Sequence, residues 1–343
     1  MIIPIALSLN SAFVKQATVT MFSALQNAAE GAQYQFCLLT YNLTKKDIKF
    51  INDKLSSLTA LAGIEVIFLT QENYDSIPKL VNKRPKENMF RVLIPQLLPN
   101  VPKLIYLDCD ILVLGDLSEL FDINLEEKAY AAFNEKDLFH FTRPPANIGA
   151  KKLYNFFYQL GFNLHEENNY VNSGVLVINN HYWQQHNYTQ RALSFLHEFN
   201  GKGLVNSDQD ALNYLALQDG PSSRAYFSLH YNFLCYLLPM LSFDITDITN
   251  FNTHIFYKSF GLENEMKENY IPKLVHFGGR FAPWRGIINT QFTKLYLSYA
   301  AKIGWHIDPP DSFRAKLNRL TLKKVLKNIM PYGLVLLKGK RKR

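Results

Sequence analysis

The sequence predicts an α/β protein built on a mostly parallel central sheet. Three observations carry that reading. Short apolar runs of strand length alternate with helix-length segments along the first part of the chain. The best defined run, Leu104–Asp108, is continuously apolar up to its last residue, as a strand buried on both faces is. Polar residues able to do chemistry gather where such runs stop, and parallel sheets bind ligands outside the carboxyl ends of their strands.

The elements follow in order. Ile2–Leu9 is expected as the first core strand; no basic residue precedes its short apolar stretch, so it does not read as a signal peptide. A helix is expected over Phe13–Ala29, a strand over Gln33–Thr40, a helix over Lys45–Leu61, a strand over Ile64–Thr70 and a helix over Asn88–Leu98. Beyond Gly115 the pattern loosens. Ala129–Phe133 and Asn172–Asn180 read as strands, Ser207 as the N-cap of a helix running to Leu217, and Lys273–Gly279 as a late strand entering glycine. Asp308-Pro309-Pro310-Asp311 marks a break, giving a body of 1–311 and a tail of 312–343.

With 343 residues, 48% of them hydrophobic and 19% charged, the chain can bury a large core. Its 25 Phe and 19 Tyr suit such a core or a carbohydrate-facing cleft equally. Cys37, Cys109 and Cys235 are odd in number and form no CxxC, which argues against a disulfide scaffold or zinc site and for a reducing, cytoplasmic setting. No apolar run approaches the roughly 20 residues of a membrane span. The net charge of +8 is uneven: 312–343 holds eleven Lys or Arg and no Asp or Glu, which leaves about −3 for the body. Within that tail Phe313, Leu317 and Leu320 share a helical face, while Leu322, Val325 and Ile329 fall nearly opposite. A basic cluster beside apolar residues predicts contact with an anionic membrane surface. The body carries no basic stripe, so nucleic acid is not expected.

Four segments hold polar residues that a core does not explain. In "LIYLDCDILVLGD", side-chain alternation aims Asp108 and Asp110 the same way and Cys109 opposite. Two carboxylates that close repel unless a proton or cation lies between them. In "VNSGVLVINN", Asn172, Ser173 and Gly174 read as a turn or a site; in "NSDQDALNY", Asp208 and Asp210 would favour a helix N-terminus in any case. In "VHFGGRFAPWRG", His276 ends an apolar run and is followed by glycines and arginines of the kind that hold phosphate.

Taken together and in order, these four motifs resemble those of the family 8 glycosyltransferases, most closely the bacterial lipopolysaccharide galactosyl- and glucosyltransferases. The likeness covers about Ile2 to Arg285. It implies a GT-A fold, a UDP-hexose donor, a glycan or glycolipid acceptor, retention of anomeric configuration, and a divalent cation, Mn²⁺ with Mg²⁺ as the alternative. By the same resemblance Asp108, Asp110 and His276 are the metal ligands. Asn10 contacts uridine and Arg91 lies near the nucleotide-sugar; by residue type Gly279 lets a phosphate approach and Arg280 or Arg285 could supply charge to it, though neither stands at the family's matching position. Glu135, Asn172 and Asp208 contact the sugar, with Glu135 standing where the family has Asp, and Gln209 lies beneath the anomeric carbon. Two positions depart from the pattern: Ser8 replaces an aspartate that reads uracil, and Ala282 replaces a lysine on the diphosphate. The implied function is transfer of galactose or glucose to lipopolysaccharide core or another surface glycan, by a protein peripheral on the inner face of the cell membrane. The alternatives are a degenerate nucleotide-sugar binder and a D-x-D phosphohydrolase.

Overall fold

The computed structural model describes residues 2–81, 84–135, 148–164, 170–235, 272–278, 282–285 and 291–308. The tail of 312–343, Gly279 and Arg280 therefore lie outside the described residues. Ten strands are described: β1 Ile2–Ser8, β2 Gln33–Thr40, β3 Ala62–Phe68, β4 Lys103–Leu107, β5 Ile111–Val113, β6 Tyr130–Asn134, β7 Val171–Asn179, β8 Arg224–Phe227, β9 Phe233–Leu234 and β10 Leu274–His276. Seven of them form one sheet in the order β3-β2-β1-β4-β7-β6-β8, and β5-β10-β9 form a second, small one. In the large sheet only β7 runs against its neighbours, so the expected mostly parallel sheet is present.

Both faces of this sheet are buried, which is why its central strands read as unbroken apolar runs. Ile105 and Leu107 of β4 pack into one core, with β1, the helix Val14–Gln26 and the helix Gln291–Lys302. Leu104 and Tyr106 pack into the other, against the helices Tyr188–Glu198 and Asp208–Gln218. Leu104, Ile105 and Leu107 are wholly inaccessible, and burying each such side chain stabilises the fold by about 1.5–3 kcal/mol. The carboxylates that follow β4 are thus mounted on a firmly held strand.

Three expectations change. The strand ends at Leu107, and Asp108–Asp110 form a turn leading into β5. The expected helix of 88–98 is instead a 3-10 stretch, Lys86–Leu93, passing into one α-turn, Ile94–Leu97. Pro95 accounts for this, because its ring opposes the Arg91 carbonyl that an α-helix would bring beside it. The helix of 45–61 is α-helical only to Leu55 and ends in a 3-10 segment, Ser56–Leu61.

Candidate active site

The turn after β4 is braced from behind by the helix Val14–Gln26. Thr20 Oγ1 lies 3.1 Å from the carbonyl of Cys109 and 2.8 Å from that of Ile111, and Ser23 Oγ accepts the Val113 N–H at 3.0 Å. Cys109 faces inward, its Sγ 3.3 Å from the Ser8 carbonyl. Asp108 and Asp110 face the opposite way and meet His276, as expected, although a turn rather than strand alternation aims them.

His276 arrives from β10, which pairs antiparallel with β5. Its Nε2 lies 3.2 Å from Asp110 Oδ1 and 3.8 Å from Asp108 Oδ2. One donor atom from each of the three residues falls within 4.8 Å of the others. Two carboxylate oxygens and one imidazole nitrogen form a donor set suited to Mn²⁺, and less so to Mg²⁺ because of the nitrogen. Gly174 makes room for it: a Cβ there would stand 2.2 Å from His276 Cε1 and 3.0 Å from Asp108 Oδ2.

Gly174 belongs to β7, not to a turn before it. The register with β6 jumps, so that Leu176 faces Ala132 while Asn172 faces Phe133, a bulge that leaves Ser173–Val175 without partners in β6. Bulges beside active sites re-aim side chains. Here the Gly174 carbonyl still accepts from the Asp108 N–H at 2.8 Å, while Asn172 turns toward Glu135 and donates to its Oε1 at 2.8 Å.

Arg91 lies beneath both acidic motifs and is almost fully buried. Its Nη2 sits 2.7 Å from Asp108 Oδ1 and its Nε 2.9 Å from Asp208 Oδ2, while Nη1 donates to the Ser173 carbonyl. Tyr106 stacks under the guanidinium at 4.3 Å and donates to Asp108 Oδ1 at 3.1 Å. One oxygen of Asp108 is thereby anchored, and Oδ2 is the one turned toward His276.

Charge follows this arrangement. Burial, only partly opposed by Arg91, pushes the Asp108 carboxyl above its ordinary range. Burial also acts upward on Asp110, but the combined pull of His276 and Arg91 holds it below. Burial works against the charged form of His276, yet Asp110 and then Asp108 draw its pKa upward. Asp208 is pushed to about 6 by burial, with Arg91 opposing and Asp108 adding.

Asp208 and Gln209 open the helix Asp208–Gln218. Ser207 holds the N-cap position but makes no capping bond with its side chain, and its φ of 57° and ψ of −112° are costly for a residue with a Cβ. Asp210 secures the turn instead, accepting from the N–H groups of Val205 at 2.7 Å and Asn206 at 2.8 Å. Gln209 Oε1 accepts from the Ser173 N–H at 3.1 Å.

One cleft of about 750 Å³ is lined by Ser8, Asn10, Arg91, Asp108, Asp110, Glu135, Asn172, Asp208, Gln209 and His276, which are all the expected site residues that the structure describes. Ser8 and Asn10 stand at the carboxyl end of β1, with Asn10 Oδ1 accepting from the Ala12 N–H at 3.0 Å. Ala282 is buried and Arg285, three residues on, lines the cleft. Sequence reasoning missed Tyr106 and Arg84, which line the cleft, and Asn232, which contacts His276. Tyr106 could have been found, since it is the one residue with a polar tip in the apolar run that delivers Asp108; Asn232 could not, because its partners are 44 and 60 residues away.

A mostly parallel α/β sheet with an acidic pair and a histidine at its carboxyl edge is the GT-A architecture of nucleotide-sugar enzymes. The profile of the glycosyl transferase family 8 matches residues 4–287, and the chain belongs to that family. It is therefore a glycosyltransferase, and membership implies a nucleotide-sugar donor and a glycan acceptor, with a divalent metal typical of the family. General stress protein A of Bacillus subtilis (strain 168) is 26% identical over 226 residues, 64% of this chain and 67% of that protein. The galactosyltransferase LgtC, solved with donor and acceptor sugar analogs, shares the fold with a TM-score of 0.66 at 18% identity, over 92% of this chain and 100% of LgtC. The bifunctional glycosyltransferase WbbM follows with a TM-score of 0.64 at 18% identity, over 89% of this chain and 52% of WbbM. The phosphohydrolase alternative has no support in these relations.

Proposed function

We propose that the protein transfers a hexose, galactose or glucose, from a UDP-sugar to a glycan acceptor with retention of anomeric configuration. The observation that carries this reading is the convergence of four segments, far apart in sequence, on one cleft. Asp108, Asp110 and His276 would hold Mn²⁺, or Mg²⁺ as second choice. When bound, the cation supplies positive charge to the diphosphate as the sugar–phosphate bond breaks. Asn10 and Ser8 are placed for the nucleoside, and Arg285 brings to the diphosphate a charge that Ala282 does not. Glu135 and Asp208 offer acceptors for sugar hydroxyls, and Asn172, whose Oδ1 already accepts twice, orients Glu135.

Gln209 is an unsuitable nucleophile, since an amide oxygen is weakly basic and this one already accepts from the Ser173 N–H. The reaction is then a front-face substitution. The anomeric carbon loses its bond to the phosphate oxygen and gains one to the acceptor oxygen on the same face, and the hydroxyl proton passes to the departing phosphate. Gln209 and Asp208 act by holding the sugar against that face.

The acceptor is proposed to be lipopolysaccharide core or a related surface glycan, reached at the inner face of the membrane through the basic tail. The support is compositional: eleven cations in 312–343 and no anion, each worth about 1 kcal/mol near an anionic surface. Among the described residues no helix is long and apolar enough to cross a membrane.

Release of UDP from UDP-galactose and UDP-glucose, with and without Mn²⁺, tests the reading. One donor should turn over only with the cation, and Asp110→Asn should lower the rate at least about 100-fold, because changes even behind a metal ligand reach that size. If UDP fails to bind at all, the nucleotide assignment is wrong.

A further inference from the structure

We infer that Asn232 is a positioning residue: it selects the tautomer of His276 and thereby aims Nε2 at Asp108 and Asp110. The inference rests on the reading of these three residues as a cation site, and it concerns a side chain that no sequence motif contains.

The assignment starts from one backbone N–H. Gly174 N–H lies 2.9 Å from Asn172 Oδ1, and a backbone N–H can only donate, so the atom facing it is an oxygen. The same oxygen lies 2.9 Å from the Asn232 carboxamide, which must therefore present its NH₂ there. The other end of Asn232 is then Oδ1, and it lies 3.0 Å from His276 Nδ1. An oxygen that only accepts requires Nδ1 to carry the hydrogen. In the neutral ring this leaves the lone pair on Nε2, the nitrogen 3.2 Å from Asp110. Asn172 agrees with this orientation at its far end, where Nδ2 donates to Glu135 Oε1 at 2.8 Å. A single peptide N–H fixes two carboxamides and one imidazole in turn.

The backbone puts Asn232 where it can do this. Its own N–H donates to the Leu229 carbonyl at 3.1 Å, closing a 3-10 turn, and the next residues form β9, whose Leu234 is paired with His276 of β10. Asn232 is wholly inaccessible, so water does not compete for either end of its side chain. A ligating histidine whose second nitrogen donates to a fixed acceptor is locked in rotation and tautomer, and loss of that acceptor costs about 10–100-fold in metal affinity.

The test is Mn²⁺ binding to the full-length, nucleotide-free protein, followed by calorimetry and by the EPR signal of free Mn²⁺. Asn232→Ala should raise the dissociation constant about 10–100-fold. Asn232→Asp should retain most of the affinity, because a carboxylate still accepts from Nδ1–H. It should weaken binding of UDP-sugar instead, since it turns an oxygen toward Asn172 Oδ1. A packing role alone would not separate these two substitutions. If the native protein binds Mn²⁺ and Asn232→Ala binds it equally well, the inference is overturned and the cation site stands. If the native protein binds no Mn²⁺, the cation reading falls and takes the inference with it. Should both variants fail to fold, nitrogen NMR of the native, metal-free protein labelled in histidine decides: neutral His276 must show Nδ1–H, and an Nε2–H form would overturn the assignment.

Discussion

Two acidic pairs with identical spacing, Asp108-x-Asp110 and Asp208-x-Asp210, do different things in this molecule. The first pair sits on a turn, and both carboxylates reach His276. The second opens a helix, where positions two apart are turned by about 200° and cannot share a face. Asp208 accordingly meets Arg91 at the cleft, while Asp210 points into the fold and accepts from Tyr170 at 2.5 Å and from two backbone N–H groups. Spacing alone is therefore no guide to chemistry; the backbone that carries it decides. Arg91 joins the pairs, since it contacts the first residue of each.

Removing that link should have the largest effect on stability. Arg91→Met leaves the buried Asp208 and the partly buried Asp108 without their shared counter-charge, and loss of one partner of a buried ion pair such as Arg91–Asp208 costs about 3–5 kcal/mol. Denaturant unfolding of the metal-free variant measures it, and added Mn²⁺ should recover part of the loss, because the cation neutralises Asp108 but not Asp208. Asp210→Ala should come next, at about 2 kcal/mol, from donors left unpaired around the strained Ser207. Its Mn²⁺ affinity should be unchanged. A fall in metal affinity there would mean that the two pairs are coupled through the helix start, and the contrast drawn between them would fail.

Much of the fold was legible because its signals are local. The continuous apolar run of β4 follows from burial on both faces, and the early strands and helices fall close to where periodicity places them. Asp108, Asp110 and His276 were readable because polar groups ending apolar runs have few structural reasons to be there, whereas Asp208, at a helix start, was singled out by resemblance. What sequence could not show is non-local. The bulge at Asn172–Val175 depends on how β7 registers against β6, and the placement of Asn232 depends on a pairing 44 residues away. Arg91 was placed near the nucleotide-sugar by resemblance, yet its partnership with both carboxylates needs three segments folded together. Ser207 reads as an ordinary cap, and only the folded structure shows that its side chain makes no capping bond while Asp210 reaches back to the N–H groups of Val205 and Asn206.

The third effect, no more than about 1.4 kcal/mol over any one pH unit, sharpens the comparison through pH. Asp208 titrates at about 6 in the folded protein, raised first by burial, then by Asp108, against the pull of Arg91. An unfolded aspartate titrates near 3.9. Between roughly pH 4 and 6 the folded state holds a proton that the unfolded chain has released, so the unfolding free energy falls as pH rises. The contribution of Asp208 is fully present below about pH 4 and is lost by the time pH passes about 6. Asp208→Asn removes this term, so the native protein should lose stability relative to the variant as pH rises through that window. The difference in slope should be no more than about 1.4 kcal/mol per pH unit, one proton's worth. A constant offset from the altered partners of Arg91 does not affect a slope, which makes metal-free unfolding curves at several pH values the measurement to use. Parallel profiles for the two proteins would show that Asp208 is ionised throughout. Arg91 would then hold it as firmly as the cation-site pair, and the separation of roles between the pairs would rest on backbone direction alone.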